Sequence, residues 1–190
     1  MDEFISEDQK ALLFLNGLGN KSFDPFWILM SDKFVWIPLY IIFLYLLYKN
    51  YRLRNFIFIL IFIGIGISIS DQLAGIFKNG ILRLRPCHTP SLEAKMRLVT
   101  CGGMYGFYSS HASNMFFIAT FLSSLLGKKY KFFTVSIFLW ASIIAYSRIY
   151  LGVHFPFDVA FGAAVGFLLG GLFSVLAKKT TNYQNLKEVE

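Results

Sequence analysis

Apolar residues fall in long blocks along this chain, interrupted by short polar stretches, and the blocks have the length of membrane-crossing helices rather than of buried strands. The first runs from about Phe26 to Tyr48, with Asp32 and Lys33 in its outer part and Trp27 and Trp36 placed as interfacial anchors. The second runs from Asn55 to about Phe77; after a long polar loop three more follow, Ala112 to Leu126, Phe132 to Tyr146 and Val159 to Ala177. Several charge-free stretches hold only about fifteen residues, whereas a helix needs roughly twenty to cross hydrocarbon. Extending them to full length draws in Lys78, His111, Arg148 and Asp158, so these residues are expected near the membrane surface. The pattern predicts an all-α fold, an integral membrane helical bundle of about five transmembrane helices.

Ahead of the first block, Phe4, Ala11, Leu12, Leu15 and Leu18 recur near helical spacing, which predicts an amphipathic helix in the membrane interface, ended near Gly17 to Asn20. Asp2, Glu3, Glu7 and Asp8 precede the apolar run Ala11 to Leu15, the reverse of a signal peptide's positive start, so the segment is expected to be retained. No internal repeat or long linker divides the chain. One domain over 1–190 is expected: an interfacial helix at 1–25, a transmembrane core at 26–177 and a cytoplasmic tail at 178–190.

Counting spans places Lys78, Ser109 to His111, Arg148 and His154 at one end of the bundle. The other end receives the loop Lys49 to Arg54, the loop Gly127 to Lys131 and the tail from Lys178, all basic and without an acidic residue before Glu188. By the positive-inside rule these are cytoplasmic, which predicts a multi-pass protein of the cytoplasmic (inner) membrane with its polar cluster facing the periplasm or exterior. The loop from Lys78 to Tyr108 is also basic, an exception that chemical duties for Lys78 and Arg85 would account for.

Composition narrows the class further. A content of 56% hydrophobic and 15% charged residues is too apolar for a soluble domain of this length. The net charge of +7 suits anionic partners; no soluble domain exists to hold nucleic acid, so the membrane bilayer and its lipids are the expected partners, with no obligate protein partner.

The densest chemistry lies between the last two blocks, where Ser147 to Asp158 packs a cation, an imidazole and a carboxylate between apolar segments. His154 and Asp158 are four apart with Pro156 between them, so a helix opened by Pro156 lets Asp158 reach back to the imidazole, giving an oriented and more basic histidine. Two readings stand at this point: a functional site, or an ordinary span boundary with Arg148 snorkelling, His154 at the interface and Asp158 capping a helix.

The rest of the chain favours the first. Lys78 is followed after six residues by Arg85-Pro86; Ser109-Ser110-His111 comes next; then Ser147-Arg148, five residues, His154, three residues and Asp158. In order and spacing this resembles the three-part signature of the type 2 phosphatidic acid phosphatase (PAP2) superfamily, in its branch of bacterial membrane lipid phosphatases. The family's middle motif usually reads Pro-Ser-Gly-His; here Tyr108 and Ser110 stand in the Pro and Gly places.

The resemblance implies a phosphatase acting on a lipid phosphomonoester or diphosphate, and the residue types suit that chemistry. Lys78, Arg85 and Arg148 supply cationic donors to the phosphoryl oxygens, aided by Ser109, Ser110 and the helix start they mark. His154, oriented by Asp158, is implied as the nucleophile that forms a phosphohistidine; His111 is implied as the acid that protonates the leaving oxygen and then activates water. No metal and no cofactor are expected, since Asp71, Glu93 and Asp158 are too scattered for a two-metal site. Candidate substrates are undecaprenyl diphosphate, phosphatidylglycerophosphate, phosphatidate and a lipid A phosphate. The alternatives are a non-catalytic lipid-binding or transport protein on the same scaffold, and an oxidative enzyme of the vanadate-haloperoxidase type, which the membrane architecture disfavours.

Asp71, seven residues before Lys78 on the same helical face, is expected to steady Lys78 or Arg85, or else to be a satisfied carboxylate with no catalytic part. Arg83, Lys95 and Arg97 read as headgroup-recruiting cations or as a solvated basic loop. Gly162, Gly166 and Gly170 have the spacing of close helix packing. Cys87 and Cys101, the two cysteines of the chain, bracket the outer loop. In an oxidising compartment they are expected to pair and hold the first two motifs in register, the other reading being two independent thiols.

Overall fold

In the computed structural model, which describes residues 2–92 and 94–181, the described residues form seven α-helices and no strand beyond one antiparallel bridge, Leu84 with Tyr105. They are α1 (Asp2–Gly17), α2 (Asp24–Ser31), α3 (Ile37–Asn50), α4 (Leu53–Ile81), α5 (Ser110–Leu126), α6 (Phe133–Tyr150) and α7 (Pro156–Thr181). Glu93 and residues 182–190, most of the expected tail, lie outside the described residues.

Three of these helices, α4, α6 and α7, are long and apolar enough to cross a bilayer alone, and α2 with α3 make a fourth if the bent pair counts as one span. The first span was expected to be continuous from Phe26 to Tyr48; instead the chain bends by 62° at Asp32. Asp32 is extended and its carboxylate accepts the Phe34 N–H at 2.9 Å, capping a short 3-10 turn at Lys33–Trp36. Pro38, in the first turn of α3, has no N–H to continue a helix from above, so the break falls where the backbone tolerates it.

Helix α5 has 17 residues, about 25 Å at 1.5 Å per residue, and is short because it is the central helix and faces protein rather than lipid. Phe117, Ala119, Phe121, Leu122, Leu125 and Leu126 on it are buried against Ile59, Ile137, Trp140 and Phe173 of the surrounding helices. Large apolar side chains elsewhere, such as Ile41, Ile57, Ile61, Leu168 and Leu172, point outward, as a lipid-facing surface requires.

Hydrogen bonds fix which ends meet. Lys78 near the end of α4 reaches Ser110 at the start of α5, and Asp158 at the start of α7 accepts Arg83 from the loop after α4. At the opposite end Asn55 donates to the Thr181 carbonyl, and Asn50 to Tyr130. The chain therefore runs up and down between two ends, and the motif residues gather at one of them.

The tightest interface is α5 against α7, where the glycine stripe lies. A Cβ at Gly162 would meet the Ser109 carbonyl oxygen at 2.5 Å, one at Gly170 the Phe117 oxygen at 2.6 Å, and one at Gly166 would collide with the Ser113 oxygen. The close approach presses the start of α5, and with it Ser109 and His111, onto the start of α7.

The N-terminal helix forms where expected, Asp2–Gly17, and buries polar residues as well as apolar ones. Its buried face is Asp8, Leu12 and Asn16, while Phe4 and Leu18 are exposed. It is not merely afloat in the interface: Asn16 donates to the carbonyls of Arg97 (2.9 Å) and Tyr150 (2.8 Å) and accepts the Arg97 N–H (2.7 Å), bolting α1 across the motif end of the bundle.

Overpacking a tight interface costs about 1–3 kcal/mol. Gly166→Val is accordingly expected to lower the thermal midpoint of the detergent-solubilised protein by several degrees, whereas Gly171→Val, where a Cβ meets nothing within 4 Å, should leave it in place. Equal losses at both positions would contradict the packing described.

Candidate active site

The last motif is built by the way α6 stops. Gly152 takes φ +78°, the left-handed conformation that glycine adopts without penalty, and the chain folds back so that the N–H groups of Val153 and His154 donate to the Arg148 carbonyl at 3.1 and 3.3 Å. Pro156 then opens α7, as expected from the sequence. Asp158, fully buried in its first turn, accepts the Phe155 N–H on Oδ2 at 3.1 Å, and the same oxygen stands 3.5 Å from Nδ1 of His154.

His154 is 1% exposed, at the floor of the site. Burial, together with the cations Arg85, Arg148 and Lys78, holds its imidazole well below the usual histidine range. This reverses the expectation of a more basic histidine: desolvation and three nearby positive charges outweigh one carboxylate. That direction favours the neutral ring, the state a nitrogen nucleophile needs.

The middle motif is tied to the last through the backbone, since the Ser109 N–H donates to the Asp158 carbonyl at 3.0 Å. Ser109 was expected to bind phosphate. Its side chain is instead fully buried and its hydroxyl caps α5 by accepting the Ala112 N–H at 3.4 Å. Ser110 faces the other way, toward Lys78, whose Nζ donates to its hydroxyl at 3.3 Å. His111 sits half-buried in the first turn of α5, where the charges of Arg148, Lys78 and Arg85 bear on it.

The three expected cations converge on this pair of histidines from separate elements. Arg85 is held by its backbone N–H on the Met104 carbonyl (3.0 Å) and its Nε on the Tyr105 carbonyl (3.2 Å). Arg148 donates one nitrogen to the Ser31 hydroxyl, and its Nε is buried with no hydrogen-bond partner. Among the described residues no carboxylate lies within ion-pairing distance of Lys78, Arg85 or Arg148. Three cations without an ion-pair partner around a polar floor favour an anion there.

Asp71 does not make the contact expected of it. Its Oδ1 accepts from Asn114 at 2.9 Å, and its charge reaches Lys78 only at longer range. Cys87 and Cys101 are joined in a disulfide with Cα atoms 5.8 Å apart. His88 lies beside it, with Nε2 3.0 Å from the Gly102 carbonyl, and the bonded sulfurs offer no thiolate to a metal.

Two positions in contact with this constellation escaped the reading of the sequence. Arg83 is no solvated or headgroup-seeking cation: it bonds Asp158 and Asp8, each at 2.6 Å. The Leu84–Tyr105 bridge makes this stretch locally strand-like, so residues 83 and 85 share a face; the alternation Arg83-Leu84-Arg85 was the available signal. Gly106 is the second. A Cβ there would stand 3.1 Å from both Arg85 Cγ and Asp158 Oδ2 and 3.5 Å from His154 Nδ1, so the outer loop passes this close to the floor only because the residue is glycine.

Residues 56–182 match the family model described as the PAP2 superfamily. The chain belongs to the PAP2 superfamily. Over 186 residues, 95% of this PAP2 chain and 82% of the relative, it is 36% identical to the lipid A 4'-phosphatase of Bacteroides thetaiotaomicron. With the lipid A 4'-phosphatase of Porphyromonas gingivalis it shares 34% identity over 173 residues, 90% of this chain and 72% of the relative. Its fold matches the crystal structure of Aquifex aeolicus LpxE with a TM-score of 0.65 at 27% identity, covering 88% of this chain and 94% of that one. The PAP2 type phosphatidylglycerolphosphate phosphatase of Bacillus subtilis is matched in fold with a TM-score of 0.72 at 22% identity, over 94% and 88% of the two chains.

Displacing a catalytic constellation by a fraction of an ångström is expected to cost about 10- to 100-fold in rate, so Gly106→Ala should lower turnover by that order while leaving the thermal midpoint within a degree or two. Wild-type turnover in Gly106→Ala would show that the loop does not fix the floor. Reduction of the disulfide is expected to destabilise the fold by roughly 3 kcal/mol, the chain-entropy value for a loop of about fifteen residues; an unchanged melting temperature in reductant would contradict this.

Proposed function

We propose that this PAP2 protein is a membrane lipid phosphatase that hydrolyses a phosphomonoester of lipid A or a similar acylated sugar phosphate through a phosphohistidine. The observation that carries the reading is a buried His154 with the Asp158 carboxylate 3.5 Å from Nδ1 and, around it, three cations with no carboxylate at ion-pairing distance among the described residues. The names of the two relatives above favour lipid A over undecaprenyl diphosphate, phosphatidylglycerophosphate and phosphatidate.

In the first step the negative charge of the bound phosphate offsets the surrounding cations and lets His111 hold a proton; Nε2 of His154 attacks phosphorus, the bond to the lipid oxygen breaks, and His111 gives that oxygen its proton. Lys78, Arg85 and Arg148 hold the other phosphoryl oxygens as negative charge redistributes over them. In the second step His111, now neutral, takes a proton from water, the water oxygen attacks phosphorus, and the N–P bond breaks to release inorganic phosphate and restore His154. Asp158 keeps the Nδ1 proton in place throughout, so that Nε2 presents its lone pair. The three cations take the electrostatic part that metal ions play elsewhere, and no cofactor is needed.

A groove of about 440 Å³ begins one helical turn beyond His111, at Asn114 and Asp71, and descends between α3 and α4 past Phe43, Leu47, Ile63 and Ile67. It offers an acyl chain a path into the hydrocarbon while the phosphate stays at the floor. The site lies at the extracytoplasmic face of the inner membrane in this reading. Support comes from the opposite end, where Lys49, Arg52, Arg54, Lys128, Lys129, Lys131, Lys178 and Lys179 collect.

Phosphate release by the purified protein across a panel of lipid A, phosphatidylglycerophosphate, phosphatidate and undecaprenyl diphosphate tests the proposal. Lipid A is expected to be the best substrate and to lose one phosphate, with activity surviving thorough EDTA treatment. His154→Ala should reduce the rate at least about 10³-fold. Activity on none of the lipids by a well-folded protein would favour the non-catalytic lipid-binding scaffold, and activity restored only by a divalent ion would require another mechanism.

A further inference from the structure

The N-terminal helix carries a carboxylate that nothing in the mechanism above uses. Asp8 is nearly buried, its side chain 5% exposed, although it belongs to a helix at the edge of the fold. Both of its oxygens are engaged at the site end of the bundle. Oδ2 accepts from Arg83 Nη2 at 2.6 Å, and Oδ1 accepts the N–H of Phe157, in the first turn of α7, at 2.9 Å. Arg83 in turn gives Nη1 to Asp158 Oδ1 at 2.6 Å and lays its guanidinium over the Phe155 ring at 4.2 Å. Its carbonyl accepts the Gly106 N–H at 2.8 Å, which locks its backbone to the loop that passes over the floor.

This arrangement separates Arg83 from the three substrate-facing cations. Its two Nη atoms are each committed to a carboxylate, leaving no fork for a phosphate, whereas Lys78, Arg85 and Arg148 have no carboxylate within ion-pairing distance among the described residues. The carboxylate at the end of the chain of contacts, Asp158 Oδ2, is the one that stands at His154 Nδ1.

We infer that α1 is part of the catalytic apparatus of this chain: Asp8 and Arg83 are positioning residues that hold Asp158, and through it His154, in the orientation the reaction requires. The inference rests on the phosphohistidine reading. Asp8 acts in two ways at once, fixing the arginine fork against Asp158 and satisfying a free N–H at the start of α7, which an acidic group also favours electrostatically. Because the fork is planar and bidentate between two carboxylates, a lysine at position 83 can satisfy one of them but not both.

The test is a double-mutant cycle on the full chain in detergent, with lipid A and a small aryl phosphate as parallel substrates. Asp8→Asn keeps the shape of the side chain and is expected to lower kcat by about 5- to 30-fold with KM within about 2-fold, the pattern of a group that acts on the reacting geometry rather than on binding. In an Asp158→Asn background the same change should cost less than about 2-fold, because residues that act through one another are not additive. Arg83→Lys should fall between wild type and Arg83→Gln. Asn16→Ala, which loosens α1 at Arg97 and Tyr150 without touching this chain of contacts, is the control for docking alone, and is expected to lower thermal stability with a smaller loss of kcat.

Wild-type kcat in Asp8→Asn, an equal loss in the Asp158→Asn background, or a change confined to KM would each overturn the inference. If Asp8→Asn does not yield monodisperse protein, Arg83→Lys run through the same cycle decides it by the same criteria. A wild type that cleaves the aryl phosphate but no lipid would fail the substrate reading while the cycle still decides this one; a wild type that cleaves neither overturns both.

Discussion

Asp158 is the constraint on which the rest of the site depends. The residue is fully buried, and three segments meet at it: Arg83 on one carboxylate oxygen, the Phe155 N–H and His154 Nδ1 of its own turn at the other, and the Ser109 N–H on its backbone carbonyl. An ionised carboxylate taken out of water is tolerated only when its lone pairs are satisfied, and removing one partner of such a pair typically costs about 3–5 kcal/mol. The need to satisfy Asp158 therefore draws all three motifs to one place. The outer loop arrives through Arg83, the start of α5 through Ser109, and the turn after α6 through His154.

Helix packing brings those segments within reach. The glycine face of α7 lets the backbone of α5 approach closely enough for Ser109 to bond Asp158, and the central position of α5 fixes His111 relative to the floor. Gly152 reverses the chain after α6, and Gly106 lets the outer loop pass above His154. Asp158, Arg83 and Ser109 each have fixed partners, whereas the Arg148 Nε and the His154 Nδ1 have no hydrogen-bond partner among the described residues, the latter facing the carboxylate at 3.5 Å.

Much of this was legible in the sequence. Apolar block length gave the helices, parity put Lys78, His111, Arg148 and His154 at one end, and the spacing of His154, Pro156 and Asp158 gave the helix start at Pro156. Features set by long-range partners were not legible. The bend at Asp32 depends on a capping bond that competes with helix continuation, which hydropathy does not register. The burial of Asp8 and Asn16 on α1 defied the apolar-face pattern because their partners, Arg83, Phe157, Arg97 and Tyr150, lie elsewhere in the chain. Ser109 shows a related difficulty: a serine before a helix is equally suited to capping it or to meeting a phosphate, and the choice follows from which way the hydroxyl is buried. The basicity of His154 was misjudged because one visible carboxylate was weighed without the desolvation that only the fold supplies.

The central claim is that His154 carries the phosphoryl group. The most direct measurement is to quench the enzyme in base during turnover of an aryl phosphate labelled in its phosphate, whose good leaving group departs without an acid, using both wild type and His111→Ala, and to map the label by mass spectrometry. The account requires an acid-labile, base-stable label on the peptide containing His154, more abundant when His111 is absent and water is not activated. A label on Ser109, Ser110 or any other residue, or turnover without covalent label in either protein, would contradict it.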